Sequence, residues 1–267
     1  MNPINHFLGY SPIDIHSHFD HNVPGDRKDP TGTHPFNTPK NQFFLNNYDL
    51  DFLKEDYDQV GIGCGAFSTY ASLLRDDRIK EENNYLFHLT TVKDWVYQWV
   101  VVHPEQPDTL LQAEKLLSSS KVLGIKIHPF CHHYDIAQYG DMLFSFANEH
   151  QTAVLMHPDR IESISDFANR YPNVQLIIAH LSTQDHICAV KQAKLGNIYV
   201  DTSGMASYQN NVIEYAVNKI GAEHILFGTD TYSTAFQLGR IAWAQITDSE
   251  KKLILRDNAN RLFCGKF

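Results

Sequence analysis

Residues 13–20 read IDIHSHFD. A β-branched apolar run gives way to His16-Ser17-His18, so a predicted strand ends in two imidazoles one residue apart. Alternate strand residues share a face, and both rings can point to one spot. In an open doubly wound sheet, the turn after the first strand more often carries a glycine-rich phosphate loop; here the histidine pair takes that place.

Outward from this stretch, short apolar runs alternate with helical spacing. Strands are predicted at 13–15, 59–63, 97–102, 122–127, 153–156, 174–179, 198–200 and 225–228. Helices are predicted at 49–57, 78–93, 108–118, 135–149, 161–170, 184–193, 209–220 and 248–262. Eight nearly all-apolar strands, each followed by a helix, imply a parallel sheet covered on both faces. In 267 residues they predict an α/β fold, a closed (β/α)8 TIM barrel, as a single domain over residues 1–267. Residues 19–48 are polar, rich in Pro, Asn and Asp, and lack a helical pattern. They read either as a long lid or substrate-facing loop over the barrel mouth, or as a solvated surface loop.

Composition narrows the function. With 22 Lys+Arg against 31 Asp+Glu the chain is acidic, net −9, and has no basic run, which argues against nucleic acid or an anionic membrane as partner. No apolar run approaches a membrane span, and no secretory signal pattern opens the chain. The four cysteines, Cys64, Cys131, Cys188 and Cys264, form no C-x-x-C pair and are expected to be buried and unreactive in a cytoplasmic protein. A small-molecule substrate is the expected partner, and a symmetric homodimer the default assembly. The 15 histidines are the feature that needs explaining.

Many of them fall at predicted strand ends, where a TIM barrel carries its active site. The third strand ends VVHP (His103), the fourth GIKIHP (Lys126, His128), the fifth VLMHPD (His157), the sixth IIAHLS (His180) and the eighth ILFGTD (Asp230). Each is weak evidence alone, and His103 and His128 precede prolines, where turn capping or packing accounts for them equally well. Together they would be a strange accident of packing, because buried imidazoles need partners. His16, His18, His157 and Asp230 would hold one divalent ion, Zn²⁺ by preference with Mn²⁺ or Fe²⁺ also suited. Such an ion lowers the pKa of bound water toward ~7 and polarises a carbonyl. Asp230 is placed to move the water's proton. His180 would orient the water, stabilise an oxyanion or serve as a further ligand.

These motifs resemble the amidohydrolase superfamily, specifically the amidohydrolase-related group of small metal-dependent (β/α)8 hydrolases and decarboxylases. The resemblance runs nearly end to end through IDIHSHFD, GIKIHPF, LMHPD, LIIAHLS, NIYVDTSG and ILFGTD, with ILRDNANRLF similar to the group's closing helix. It implies that His16, His18, His157 and Asp230 are metal ligands and that His180 is a ligand or a catalytic group. Some relatives carry a carboxylated lysine bridging two metals at the end of strand four. Lys126 is the candidate by place, although relatives with a G-x-K-x-H-P segment hold one metal and do not use their lysine so. Asp159 and Arg160 follow His157 where relatives contact substrate; Arg160 reads either as a residue to hold a carboxylate in a bidentate fork or as a first-turn helix residue facing solvent. His103 and His128 stand at the rim, as supports or substrate contacts.

The resemblance implies a metal-dependent hydrolase that sends water to an amide, lactone or ester carbonyl. The alternative is a metal-dependent decarboxylase of a small aromatic or unsaturated acid, with Arg27, Lys28 or Arg160 to receive the acid. A metal-binding scaffold without activity is a third reading. Fold does not separate them.

Overall fold

Eight strands follow one another around a single sheet in the order β1 to β8, each parallel to the next. They are β1 (Ile13–Phe19), β2 (Cys64–Thr69), β3 (Val96–Val101), β4 (Val122–Ile127), β5 (Ala153–Met156), β6 (Gln175–Ile178), β7 (Ile198–Asp201) and β8 (Ile225–Leu226). Residues past β8 return to β1: the Ile15 N–H donates to Phe227 O at 3.0 Å, and the Thr229 and Asp230 N–H groups both donate to His16 O, at 3.1 and 2.8 Å. The arrangement is the (β/α)8 barrel, here a computed structural model that describes residues 9–19, 50–231 and 233–267. The long loop expected over residues 19–48 lies outside the described residues, apart from Phe19 at the end of β1.

The helices are α1 (Leu50–Val60), α2 (Tyr70–Leu74), α3 (Ile79–Val92), α4 (Pro107–Leu116), α5 (Ile136–Glu149), α6 (Ile161–Arg170), α7 (Gln184–Gln192), α8 (Val212–Ile220), α9 (Thr234–Ala242), α10 (Asp248–Lys252) and α11 (Asn258–Leu262). A π-helical turn, Leu253–Asp257, joins the last two, where one continuous helix was expected. Every residue of β1 to β5 is buried, as strands packed on both faces require. No helix among the described residues is long and apolar enough to cross a membrane.

Two expectations fail for physical reasons. Residues 59–63, predicted as the second strand, instead end α1 and turn the chain. Gly61 takes φ +76 and the Ile62 N–H bonds back to Tyr57 O at 3.0 Å, closing the helix in the left-handed manner that favours glycine. The strand itself is CGAFST, whose small residues carry little β signal. They are small because space is taken: a Cβ on Gly65 would lie 2.6 Å from the Phe67 ring and 2.7 Å from the Tyr57 hydroxyl. The second correction concerns the thiols. Only Cys64 is buried; Cys131 is half-buried, and Cys188 and Cys264 are exposed.

Strand β1 carries an irregularity that bears on the site. Its register against β2 shifts between Asp14 and Ser17. Asp14, fully buried, takes hydrogen bonds from the Tyr57 hydroxyl of α1 at 2.6 Å, from Thr229 Oγ1 at 2.5 Å, and from the N–H groups of His16 and Thr229, both at 3.1 Å. Asp14 is thus tied to the helix layer while His16 and His18 meet Asp230. A bulge re-aims side chains in this way. Burial pushes the Asp14 carboxyl up to about 7.

Tight interstrand packing yields a test. Gly124 on β4 pairs with Ala153 on β5, and a Cβ there would collide with the Ala153 carbonyl and lie 3.0 Å from the Trp99 ring. Gly124→Ala is expected to destabilise the barrel by about 1–3 kcal/mol. Denaturant unfolding should show a lower midpoint with an unchanged slope.

Candidate metal centre

Three donor atoms, one each from His16, His18 and Asp230, lie within 4.8 Å of one another. Asp230 Oδ1 stands 3.2 Å from His18 Nε2 and 3.7 Å from His16 Nε2. His16 and His18 come from the end of β1, and Asp230 follows β8. The loop bearing Asp230 is strained: Asp230, Thr231 and Ser233 have φ of +57, +67 and +48. Such non-glycine residues cost on the order of 1–3 kcal/mol each and persist where the surroundings hold them. Here the holding contacts are the Asp230 N–H on His16 O and Thr231 Oγ1, which accepts from the His18 N–H at 2.7 Å and donates to His18 O at 2.6 Å.

The imidazoles are oriented by acceptors on their far nitrogens. His16 Nδ1 donates to Asp201 Oδ2 at 2.8 Å, and His18 Nδ1 to the Ser68 carbonyl at 3.1 Å. With the proton on Nδ1, each ring has its lone pair on Nε2. Burial keeps both rings neutral: it pushes His16 down to about 3, with the Lys126 charge adding to it, and it lowers His18. Neutral imidazoles with buried acceptors behind them are the form in which histidine binds metal.

Asp201 was not singled out by the sequence reading, although it ends the strand-seven motif NIYVD. It is fully buried, and its Oδ1 accepts the His180 N–H at 3.2 Å, the Ser203 N–H at 2.9 Å and the Ser203 hydroxyl. One carboxylate therefore positions both His16 and His180. The available signal was the acid itself, since a carboxylate closing an apolar buried strand needs partners. Ser68 and Ser203 were missed because their part is set by tertiary contact alone.

His180, with φ +63, directs Nδ1 to the Ser203 carbonyl at 3.2 Å and sits with its ring centroid 5.1 Å from that of His16. Its donor atoms group with those of His16 and Asp201 rather than with Asp230. His157 stands close by, its ring 5.2 Å from His180, but it is outside the converging donor groups. Its Nδ1 is buried without a hydrogen-bond partner, and burial pushes the ring down to about 2. Gly204 keeps the space between His180 and Asp230 open: a Cβ there would lie 3.0 Å from His180 Nδ1 and 3.2 Å from Asp230 Oδ2. Two neutral imidazoles, a carboxylate, an orphaned imidazole nitrogen and this glycine cradle fit a divalent ion of the kind N/O donors hold.

The remaining candidates are placed differently. His128 stacks on His157 at 3.9 Å, and its Nδ1 accepts the Cys131 N–H at 3.2 Å. His103 is closed on itself locally, with Nδ1 accepting the Glu105 N–H at 3.1 Å and Nε2 donating to His132 O at 3.2 Å. Arg160 forms its bidentate fork with Asp135, at 2.9 and 3.0 Å, on the surface. Lys126 is fully buried with Nζ 2.9 Å from His16 Nε2, and burial pushes it down to about 8.

The sequence model of the amidohydrolase family matches residues 13–264. No curated protein matches the chain significantly. Among solved structures, 2,6-dihydroxybenzoate decarboxylase from Rhizobium superposes with a TM-score of 0.70 at 15% identity, covering 95% of this chain and 98% of that one. The 5-carboxyvanillate decarboxylase of Novosphingobium aromaticivorans, complexed with manganese and 4-hydroxy-3-methoxy-5-nitrobenzoic acid, gives 0.74 at 14% identity over 96% and 97%. A Pseudomonas putida protein provisionally designated a 2-pyrone-4,6-dicarboxylic acid hydrolase gives 0.63 at 17% identity over 97% and 99%.

The role of Asp201 is open to direct measurement. In Asp201→Asn the amide can place an N–H against His16 Nδ1, forcing the proton to Nε2 and blocking that lone pair. Affinity for a divalent metal is expected to fall about 10–100-fold, read by titration against a chromophoric chelator.

Proposed function

The chain belongs to the amidohydrolase family, and from that premise we propose that it is a divalent-metal-dependent hydrolase of small-molecule amides, lactones or esters. The carrying observation is the convergence of His16, His18 and Asp230 donor atoms within 4.8 Å. In this reading His157 completes the ligand set. A divalent ion bound there supplies a Lewis acid and acidifies water toward pKa ~7. Zn²⁺, Mn²⁺ and Fe²⁺ all suit the donors.

The chain's own groups carry the rest of the reaction. Asp230 takes the proton of the attacking water and returns it to the leaving group. Its strained backbone, pinned to His16 O, holds the carboxylate at the ligands without a search over conformers. His180, with its Nδ1 proton held by the Ser203 carbonyl, keeps an Nε2 lone pair to orient the water. His128 supports His157 by stacking.

Decarboxylation of a small aromatic or unsaturated acid is the second reading. It is favoured by decarboxylases of the same fold, two of which hold manganese with a nitroaromatic ligand. Arg160, one of the cations considered for the acid, is paired with Asp135 on the surface. Arg27 and Lys28, the other cations considered for that task, lie outside the described residues.

Metal analysis of the purified protein should find close to one divalent ion per chain. The His16→Ala/His18→Ala double variant should be empty while its circular dichroism stays that of the folded barrel; a full metal complement in it would sink the assignment. Asp230→Asn should keep part of the metal and lose at least 100-fold in turnover. That variant and the wild type are compared on a panel of lactones, amides and aromatic acids, followed for both ester or amide cleavage and CO₂ release. Carbon dioxide without hydrolysis selects the second reading.

A further inference from the structure

Lys126 has no task in the hydrolytic reading, yet it is among the largest fully buried side chains and lies within the ligand set. Its Nζ donates to His16 Nε2 at 2.9 Å. The other nitrogen of that ring gives its proton to Asp201 at 2.8 Å. A neutral imidazole has one N–H and one lone pair, so the Lys126 ammonium takes the only lone pair His16 has to offer. A metal ion held by His16 through Nε2 would need the same pair. The two cations cannot share it.

The ammonium also answers an electrostatic need. Asp201 is fully buried and Asp230 partly so, and both carboxylates act on Lys126. Two carboxylates turned toward one desolvated site call for a compensating charge.

We propose that Lys126 is a resident cation that holds the ligand set together without metal and competes with the divalent ion for His16 Nε2, thereby setting the metal affinity. The proposal rests on the metal reading above. Uptake of metal requires Nζ to withdraw from His16, and the strength of the Lys126 contact opposes binding by that amount.

The test compares the metal-free wild type with Lys126→Met and Lys126→Gln, each titrated with Mn²⁺ and with Zn²⁺ against a chromophoric chelator, with thermal melts to check folding. Lys126→Met keeps the bulk and removes the charge, and its metal dissociation constant is expected to be at least tenfold lower than the wild type's. Lys126→Gln can still donate to His16 without a charge and is expected to fall between. Unchanged or weaker affinity in both variants overturns the competition, and lost binding would make Lys126 a ligand-side group instead. If neither the wild type nor the variants take up metal, the metal reading itself falls. Binding by the wild type with no gain in the variants removes only the role given to Lys126. Should the metal-free variants fail to fold, a crystal structure of the metal-loaded wild type decides. Nζ withdrawn from a metal-bearing His16 upholds the proposal. Nζ still at hydrogen-bond distance, or a carboxylated Lys126 on the metal, overturns it.

Discussion

The hydrogen bond from the Asp230 N–H to His16 O, 2.8 Å long, joins the end of the last strand to the first. Two residues 214 positions apart become neighbours through it, and the loop that follows β8 is forced into a left-handed conformation to make it. Neither half of the site has meaning alone. His16 and His18 are a pair of imidazoles on a strand, and Asp230 is a carboxylate in a turn. Barrel closure brings their donor atoms within 4.8 Å of one another, through backbone hydrogen bonds along the seam.

Around that seam, every imidazole of the centre except one is steered by an acceptor on its far side. Asp201 serves His16, the Ser68 carbonyl serves His18 and the Ser203 carbonyl serves His180. His157 is the exception, supported by the flat face of His128 instead of a hydrogen bond. Preorganisation of this kind fixes tautomers before any ion arrives, which lowers the cost of ordering at binding. The bulge in β1 belongs to the same design: it lets Asp14 serve the helix layer while its strand neighbours serve the mouth.

Much of this was legible along the chain. The bounds of β4, β5 and α6 agree with those read from hydrophobic patterning, since the strands are apolar runs and the helix is amphipathic. Strand β2 was not, because a strand made of Cys, Gly, Ala, Phe, Ser and Thr carries little pattern of its own and is shaped by its neighbours, here Tyr57 of α1. Helix α2 escaped for a related reason: it starts directly after β2, where strand and helix signals run together. In the centre, the histidines announced themselves by type, whereas Asp201 was hidden in a motif already read as a strand. Which partners Arg160 and His103 take was not legible either: Asp135 meets the first on the surface, and the Glu105 and His132 backbone meets the second.

By itself the sequence determined the alternation of strand and helix, the number of units and the positions of the imidazoles near strand ends. Those follow from local period and residue type, which a linear chain displays. The tertiary structure alone decided which nitrogen of each ring faces inward, that one carboxylate serves two histidines, and that a buried lysine lies 2.9 Å from His16 Nε2. Each of these depends on the approach of groups from different strands within hydrogen-bond distance. Only a closed barrel sets that approach.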